Sequence, residues 1–494
     1  MNERIRFAAA VTAAGVVVAF VAVTVSTWPH ANWVQDDVRG LADHAHPGDI
    51  AGEWTHSTYE AAGGPRGWVW MPLATSAQQV WGGWFGRSVV AFRALSLLLH
   101  LAAAMLVAVV ARALGAGARP AWLAAAFVAA HPIAPDSACW PSDASDVLGA
   151  CALLLGFRAA LAPARATAGL GAFVALSAGL FCKPTMVAGL PFLVLVALWA
   201  GDRRRAGSVA LAGLGAMGAW WPLYSAVTTQ GSREGAALGA FAGIAERGAA
   251  WLHLCSWLLW LPHTAEQGAV FDPAGVAGCV IGAGVLILGA ALFIAGQRAF
   301  AAAIGTFALL VGPAGLLVVP ATGILAFRYA YVPLALAAPL LALGLHRLQR
   351  AWTGEVVLAM FLLASAPRTL LRAHAWVDEP TLWQAEHDVA PADPYVTTLW
   401  AVSRGSSVDQ QARMAWAGAL DGMPPSVRIV DVDASRLELA KADFRAGDWP
   451  AALAEADALH GDRKHAAAAA CIAADALDRL RRHDEANTRA TDCR

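Results

Sequence analysis

SDVLGACALLLGFRAALAPARATAGLGAFVALSAGLFCKPTMVAGLPFLVLVALWA, residues 145–200, holds three apolar runs separated by two short turns. The runs at 145–163, 167–182 and 185–200 are too long for strands and carry almost no charge. About 20 apolar residues cross the hydrocarbon of a bilayer as a helix, so the stretch reads as membrane helices in series. Arg158 and Arg165 flank its first turn; Lys183 stands in its second.

The same reading extends to 7–27, 88–114, 119–134, 206–227, 274–296, 300–319, 324–346 and 354–367, which gives eleven spans. Composition agrees. Of the 494 residues, 58% are hydrophobic and 14% charged, against about 45–50% and about 25% in soluble domains. The deficit of charge is confined to residues 1–367. The expected fold is therefore all-α: a polytopic membrane domain over 1–367, a helical connector over 368–433 and helical hairpins over 434–494. A soluble enzyme is excluded. A net charge of −1 excludes nucleic acid as a partner, because no basic stripe neutralises phosphates. The 21 Trp suit a chain with many interface positions, with membrane lipids as its surroundings.

Arg4 and Arg6, Arg112 and Arg119, Arg158 and Arg165, the run Arg203–Arg205, Arg298, and Arg347 with Arg350 all fall on one side when the spans alternate from a cytoplasmic N-terminus. Residues 248–262 are apolar but short. Counting them as a span would put Arg298 outside, so they read as re-entrant or interfacial. The tail is then extracytoplasmic. So are the loop 28–87, the turn 131–145, the turn at Lys183, the loop 228–273 and the turn 320–323.

The unusual polar residues collect on that side. Asp36 and Asp37 follow the first span, where adjacent carboxylates suit a general base or a cation site; the plain alternative is a helix cap. His131, Asp136, Asp143 and Asp146 crowd one turn, and a carboxylate as deep as Asp146 faces a cavity or a partner. His131 reads equally as a hydrogen-bonded turn residue before Pro132. Lys183 is the only lysine in the first 440 residues. A compact ammonium there suits a phosphate headgroup; the alternative is snorkelling. Arg328, about one turn inside its span, requires an anion: Asp136, Asp146 or a ligand phosphate. Arg93 is a shallower case, and His100 reads as an intra-bundle hydrogen bond. The seven cysteines contain no CxxC pair, so no metal site is read. Asp36 and Asp37 permit a divalent metal, but no spacing requires one. Cys471 and Cys493 can bridge two helices in an oxidising compartment.

HPIAPDSACWPSDASDVL, residues 131–148, resembles the HPxHxESVAWxSERKDVL signature of bacterial GT-C glycosyltransferases with tetratricopeptide tails, relatives of the transmembrane-and-TPR protein O-mannosyltransferases. His131, Pro132, Trp140, Ser142, Asp146, Val147 and Leu148 match, and Asp136 and Asp143 stand where the family has Glu. Asp36-Asp37 with Arg39, SLLLH (96–100), GLFCKPTMVAGLPFLVL (179–195), RYAYVPL (328–334) and WVDEPTLWQAEHDVAPADPY (376–395) are similar to further family motifs in the same order.

The resemblance implies a GT-C fold in a bacterial cytoplasmic membrane. It implies inverting transfer of a mannose-like sugar from a polyprenyl-phosphate carrier, the donor substrate, to an extracytoplasmic protein or glycan hydroxyl. Asp36 or Asp37 would be the catalytic base. Lys183 and Arg328 would hold the donor phosphate, with His131, Asp136, Asp146 and Arg93 around the cavity. Ala144, Phe327 and Met71 depart from the family pattern at two cations and one acid. They set a second reading beside the first: a degenerate GT-C protein that binds lipid-linked sugar or scaffolds envelope assembly. A lipid-phosphate transporter fits less well, because no paired inverted repeat with broken helices is visible.

In the tail, AGDWPAAL (446–453) and LRRHDEAN (480–487) lie 34 residues apart, the tetratricopeptide period. Gly447, Trp449 and Ala452 map onto Arg481, His483 and Ala486. Such hairpins serve acceptor capture or partner docking, or act as a structural cap.

Overall fold

A computed structural model describes residues 2–493, apart from 35–40, 42–48, 62–66, 68, 201, 229–243, 257–266, 270–273, 314–323, 349–350, 406–407, 424–430 and 462–463. Each of the eleven apolar runs forms a helix over most of its length: Asn2–Ser26, Val89–Ala113, Ala118–Ala130, Ala144–Ala160, Arg165–Cys182, Gly189–Trp199, Arg203–Val227, Ala274–Ile294, Arg298–Pro313, Tyr331–Arg347 and Ala351–Ala375. Among the described residues, five helical stretches are long and apolar enough to cross a membrane: Glu3–His30, Val89–Ala113, Arg165–Cys182, Phe327–Arg347 and Trp352–Ala375. Ala118–Ala130, Pro184–Trp199, Gly282–Ile294 and Arg298–Gly312 are apolar but shorter. The short apolar segment at 248–262 is helical over Ile244–Ser256, and its remainder lies outside the described residues.

Proline sets several of these ends. A residue before proline avoids the helical region because its backbone and Cβ clash with the ring. His131 before Pro132 (ψ 144°), Trp140 before Pro141 (ψ 109°) and Lys183 before Pro184 (ψ 133°) are all extended. Three helices therefore stop at residues with site chemistry.

The chain divides into two compact units. The first comprises Met1–Pro262, Gly275–Val318 and Phe327–Glu379; the second comprises His263–Ala274, Val319–Ala326 and Pro380–Arg494. The expected boundary at 367 shifts because Ala351–Ala375 is one uninterrupted helix that carries Arg368 and Arg372. In the first unit, helices approach closely through small residues. A Cβ on Gly171 would lie 2.3 Å from Ala159 Cβ, the kind of backbone proximity that drives helix association in lipid. Phe7, Val18, Met105, Leu170, Leu211 and Ile294 point outward, more than half exposed. Large apolar side chains facing outward along long helices are compatible with a membrane-embedded surface.

The second unit is helical too: Glu379–Val389, Pro394–Arg404, Gln410–Asp421, Val432–Ala446, Trp449–Ala458, Ala466–Arg479 and His483–Asp492. The all-α expectation has one exception, a two-stranded antiparallel ladder pairing Gln267–Ala269 with Ile324–Ala326. Gln267–Ala269 comes from the stretch 228–273, read from sequence as a loop, whereas Ile324–Ala326 takes the first three residues of the apolar run 324–346, whose α-helix begins only at Tyr331. The 34-residue correspondence extends to backbone conformation. Gly447 (φ +79°) and its register mate Arg481 (φ +61°) each end a helix in the left-handed region. A disulfide joins Cys471 and Cys493, with their Cα atoms 4.7 Å apart.

Candidate functional site

The first loop, the turn 131–145 and the turn at Lys183 meet at one end of the first unit. Gln78 Nε2, on the Pro72–Phe85 helix, donates to the Pro141 carbonyl (2.8 Å). Trp54 and Trp70 pack their rings on Phe181, at 5.1 and 5.6 Å between centroids. Glu53 is buried in this loop, accepting from Gln79 Nε2 (3.2 Å). Other charges gather around the first helix's N-terminus: Arg6 grips the buried Glu355 through two bonds of 2.7 and 2.9 Å, and Arg119 reaches Glu3 at 2.7 Å.

Lys183 is the centre of the arrangement. Pro184 stops the preceding helix there, so the side chain leaves the helix end and meets the start of Ala144–Ala160. It forms an ion pair with Asp146, and its Nζ lies 3.8 Å from Asp143 Oδ1. Asp143 also accepts from Ser137 Oγ at 2.6 Å. Asp143 stands in the turn outside the helix. Burial there raises its carboxyl well above the usual range, the adjacent Asp146 adds to this, and Lys183 opposes it. For Lys183, burial disfavours the charge, but Asp146 and Asp143 outweigh it and the pKa is raised. The ammonium therefore stays charged and one carboxyl is disposed to hold a proton.

Asp146 and Lys183 line a partly open cavity with Thr185, Met186, Tyr329 and Pro333. The cavity's volume is about 30 Å³, room for a water or two. Arg328 is buried beside it in a short 3₁₀ turn, Phe327–Ala330. Its guanidinium lies over the Trp140 ring (4.8 Å) and the Tyr329 ring (5.0 Å), within electrostatic reach of Asp143 and Lys183. Asp143, Asp146, Lys183 and Arg328 thus form one cluster of two carboxyls and two cations.

The other expected residues lie elsewhere. Asp136 takes Arg372 Nε (3.0 Å) and Trp376 Nε1 (3.1 Å) on its Oδ1, so its cation is Arg372, not Arg328. Its buried Oδ2 has no hydrogen-bond partner among the described residues. His131 accepts from the Ile133 backbone N–H on Nδ1 (3.2 Å) and packs between Phe127 and Phe361, the turn role before Pro132. Arg93 donates to the carbonyls of Asn32 (3.1 Å), Trp376 and Val377 (3.2 Å), fastening backbone rather than facing the cavity. His100 donates from Nε2 to the Ala129 carbonyl (3.0 Å) and accepts from Tyr331 on Nδ1 (2.8 Å), the intra-bundle role expected. Asp36 and Asp37 lie outside the described residues. Among the described residues no group of His, Cys, Asp and Glu is arranged to hold a metal ion.

Sequence reasoning missed Arg372, Glu355 and Glu53. The first two had a signal: a charge inside or just beyond an apolar run must find a partner. Arg368, Arg372 and Trp376 also recur at a spacing of four, a helical period continuing past 367. Glu53 had none, since its partner Gln79 lies 26 residues away.

Compared with known protein families, curated proteins and solved structures, the chain matches none.

Proposed function

We propose that this chain is a GT-C membrane glycosyltransferase that moves a sugar, mannose-like by resemblance, from a polyprenyl-phosphate carrier to an extracytoplasmic hydroxyl. The observation that carries the reading is the Lys183 cluster: a buried ammonium between two carboxyls on a cavity, with a second cation alongside and the first loop packed against the same turn. Inverting transfer from a phosphodiester needs a base for the acceptor hydroxyl and cations for the phosphate that leaves. Lys183 and Arg328 supply the cations, and Asp36 or Asp37 the base. The eleven-span count, a re-entrant segment at 248–262 and tetratricopeptide-like hairpins belong to this reading. So does a bacterial inner-membrane location with the tail outside the cytoplasm. The Cys471–Cys493 disulfide supports that side, because such bonds persist in oxidising compartments.

The second reading, a degenerate protein that binds lipid-linked sugar or scaffolds envelope assembly, has its own support. Asp146 already occupies Lys183, and the cavity beside them is small. Turnover then requires the phosphate to displace Asp146 from the ammonium.

Native mass spectrometry of gently extracted full-length protein separates these outcomes. The expected result is a co-purifying polyprenyl phosphate, with or without sugar, that Lys183→Ala and Arg328→Ala both lose. An adduct together with sugar transfer abolished by Asp36→Asn or Asp37→Asn supports the transferase. An adduct without transfer supports the binding protein. Absence of any isoprenoid adduct, or one indifferent to both cations, overturns the phosphate site.

A further inference from the structure

The Lys183 ammonium is wedged between two acids rather than paired with one. It forms an ion pair with Asp146, its Nζ lies 3.8 Å from Asp143 Oδ1, and the two carboxyls are within hydrogen-bonding reach of each other. Asp143 and Asp146 are buried, 2% and 4% exposed. Ser137 Oγ donates to the other oxygen of Asp143, Oδ2, at 2.6 Å, which fixes that carboxyl in the turn. Asp146 and Lys183 both line the cavity. An anion that reaches the ammonium through it therefore meets the Asp146 carboxylate at the same place.

An added negative charge in this setting has to be balanced. Little water is present to solvate it, and like charges in a buried site do not both stay ionised. Lys183 and Arg328 already carry their full charge. The nearest groups able to change charge are the two carboxyls, and a proton on either removes the repulsion. The raised Asp143 carboxyl described above agrees with a pair that holds protons readily.

From this geometry we infer that the site binds its anion together with a proton. As a phosphate reaches Lys183, the Asp143–Asp146 pair takes up one proton from solvent, and the carboxylate that gives up the ammonium leaves it as a neutral acid. The inference rests on the phosphate-binding reading above and deepens it. It gives the Asp146–Lys183 ion pair a role beyond blocking the cation: it makes occupancy of the site depend on pH.

Few other groups compete for that proton. Lys183, Arg328, the Cys182 thiol and the Tyr331 phenol face the pair, and an ordinary thiol and phenol titrate at about 8.5 and about 10. From the Val89–Ala113 helix, Arg93 is engaged with backbone carbonyls and His100 with the Tyr331 hydroxyl. From the Ala134–Cys139 helix, Asp136 is held by Arg372. The Pro72–Phe85 and Gly189–Trp199 helices, which also pack against Ala144–Ala160, carry no titratable side chain.

The test uses full-length protein in detergent and a prenyl alkyl phosphodiester as the probe. A diester lacks the second acidic group that titrates at about pH 6 in a monoester, so its own charge is constant. Calorimetry in buffers of different ionisation heat counts the protons. Between about pH 5.5 and about 7.5, below the ordinary thiol range, uptake is expected to reach one proton per bound anion. Affinity should fall with rising pH by up to about tenfold per unit. Infrared difference spectra of the same binding step are expected to gain a protonated-carboxyl band. Asp143→Asn and Asp146→Asn should each shift or remove it, since the two acids share the proton. If neither variant folds, the wild-type proton count and band decide. A count near zero at every pH, or a band indifferent to both variants, overturns this inference while leaving the phosphate site standing. A wild type that binds no phosphodiester at any pH overturns both.

Discussion

Arg372 with Asp136 in the first unit, and Arg436 with Asp421 and Glu455 in the second, are built from the same chemistry, yet their surroundings differ. The Arg372 and Asp136 side chains are 4% and 0% exposed, whereas Asp421 is 70% exposed. In the first unit a buried charge has little water to fall back on, so Arg372 is tied to a carboxylate and Arg93 to backbone carbonyls. Removing one partner leaves the other uncompensated. In the tail, water substitutes for a lost partner and an exposed pair contributes little. Order there comes instead from caps, packing of small residues and a covalent bond. Asp393, Asp409, Asp431 and Asp448 each cap a helix by accepting from backbone N–H groups. The lesson is that a charged residue in the first unit is a commitment to a specific partner, and in the second it is mostly a solubility device.

That contrast can be broken by experiment. The largest effect is expected from Asp136→Leu, which leaves Arg372 buried without its carboxylate and costs about 3–5 kcal/mol in unfolding of the full-length protein. Combining it with Arg372→Met removes both charges and is expected to recover most of the loss. If the double variant is no more stable than the single one, buried pairing is not what distinguishes the unit.

Next comes the disulfide. Cys471 and Cys493 close a loop of 22 residues, and replacing both with Ser is expected to cost the tail about 3 kcal/mol. Hydrogen exchange on the full-length protein reads this locally. Faster exchange in 466–493 with unchanged protection in 89–113 is the expected pattern, and uniform loosening would contradict two units of separate stability.

The tail should also respond to pH. Burial pushes the Asp443 carboxyl up to about 6, despite the Arg413 guanidinium 2.6 Å away. The folded state therefore binds this proton more tightly than the unfolded chain, whose carboxyl has its ordinary pKa near 3.8. Between those values the folded form holds the proton and the unfolded form does not. The tail accordingly loses stability as pH rises from about 4 to about 6 and is flat above. Asp443→Asn is expected to remove that slope in a pH series of tail hydrogen exchange; a persisting slope would assign it to another group.

The smallest effects are local. Asp393→Ala deletes an acceptor for the Tyr395 and Val396 N–H groups (2.9 and 3.1 Å), with an expected cost of about 1 kcal/mol. Arg481→Gly relieves a left-handed side-chain-bearing residue and is expected to stabilise the tail by about 0.5–1 kcal/mol. A destabilised glycine variant would mean that the Arg481 side chain does more for the tail than its backbone costs.

How far the sequence could be read varies along the chain. The eleven helices were legible because an apolar run of given length and period is a local property. The 34-residue offset was legible in the tail for the same reason, whereas the left-handed backbone that Gly447 and Arg481 share was not. The Asp146–Lys183 neighbourhood was legible in outline, since both stand at turns on the same expected side. Their ion pair was not, nor was the presence of Asp143 and Ser137 within it. His131 was left between two roles by sequence, and only the Ile133 N–H on its Nδ1 selects the turn. Glu53 was invisible until Trp70 and Gln79 folded over it.

What the residues determine on their own is therefore where helices run and stop. Apolar length and period impose the helix, and proline after His131, Trp140 and Lys183 ends three of them. Those rules act within a few residues, so they need no knowledge of the rest of the chain. Which cation meets which carboxylate is settled only by helix packing. Asp136 lies 236 residues from Arg372, and Arg328 rests on a ring carried by another turn. Among buried charges in an apolar medium several pairings satisfy the same electrostatic demand, and the packed helices select the one whose geometry closes.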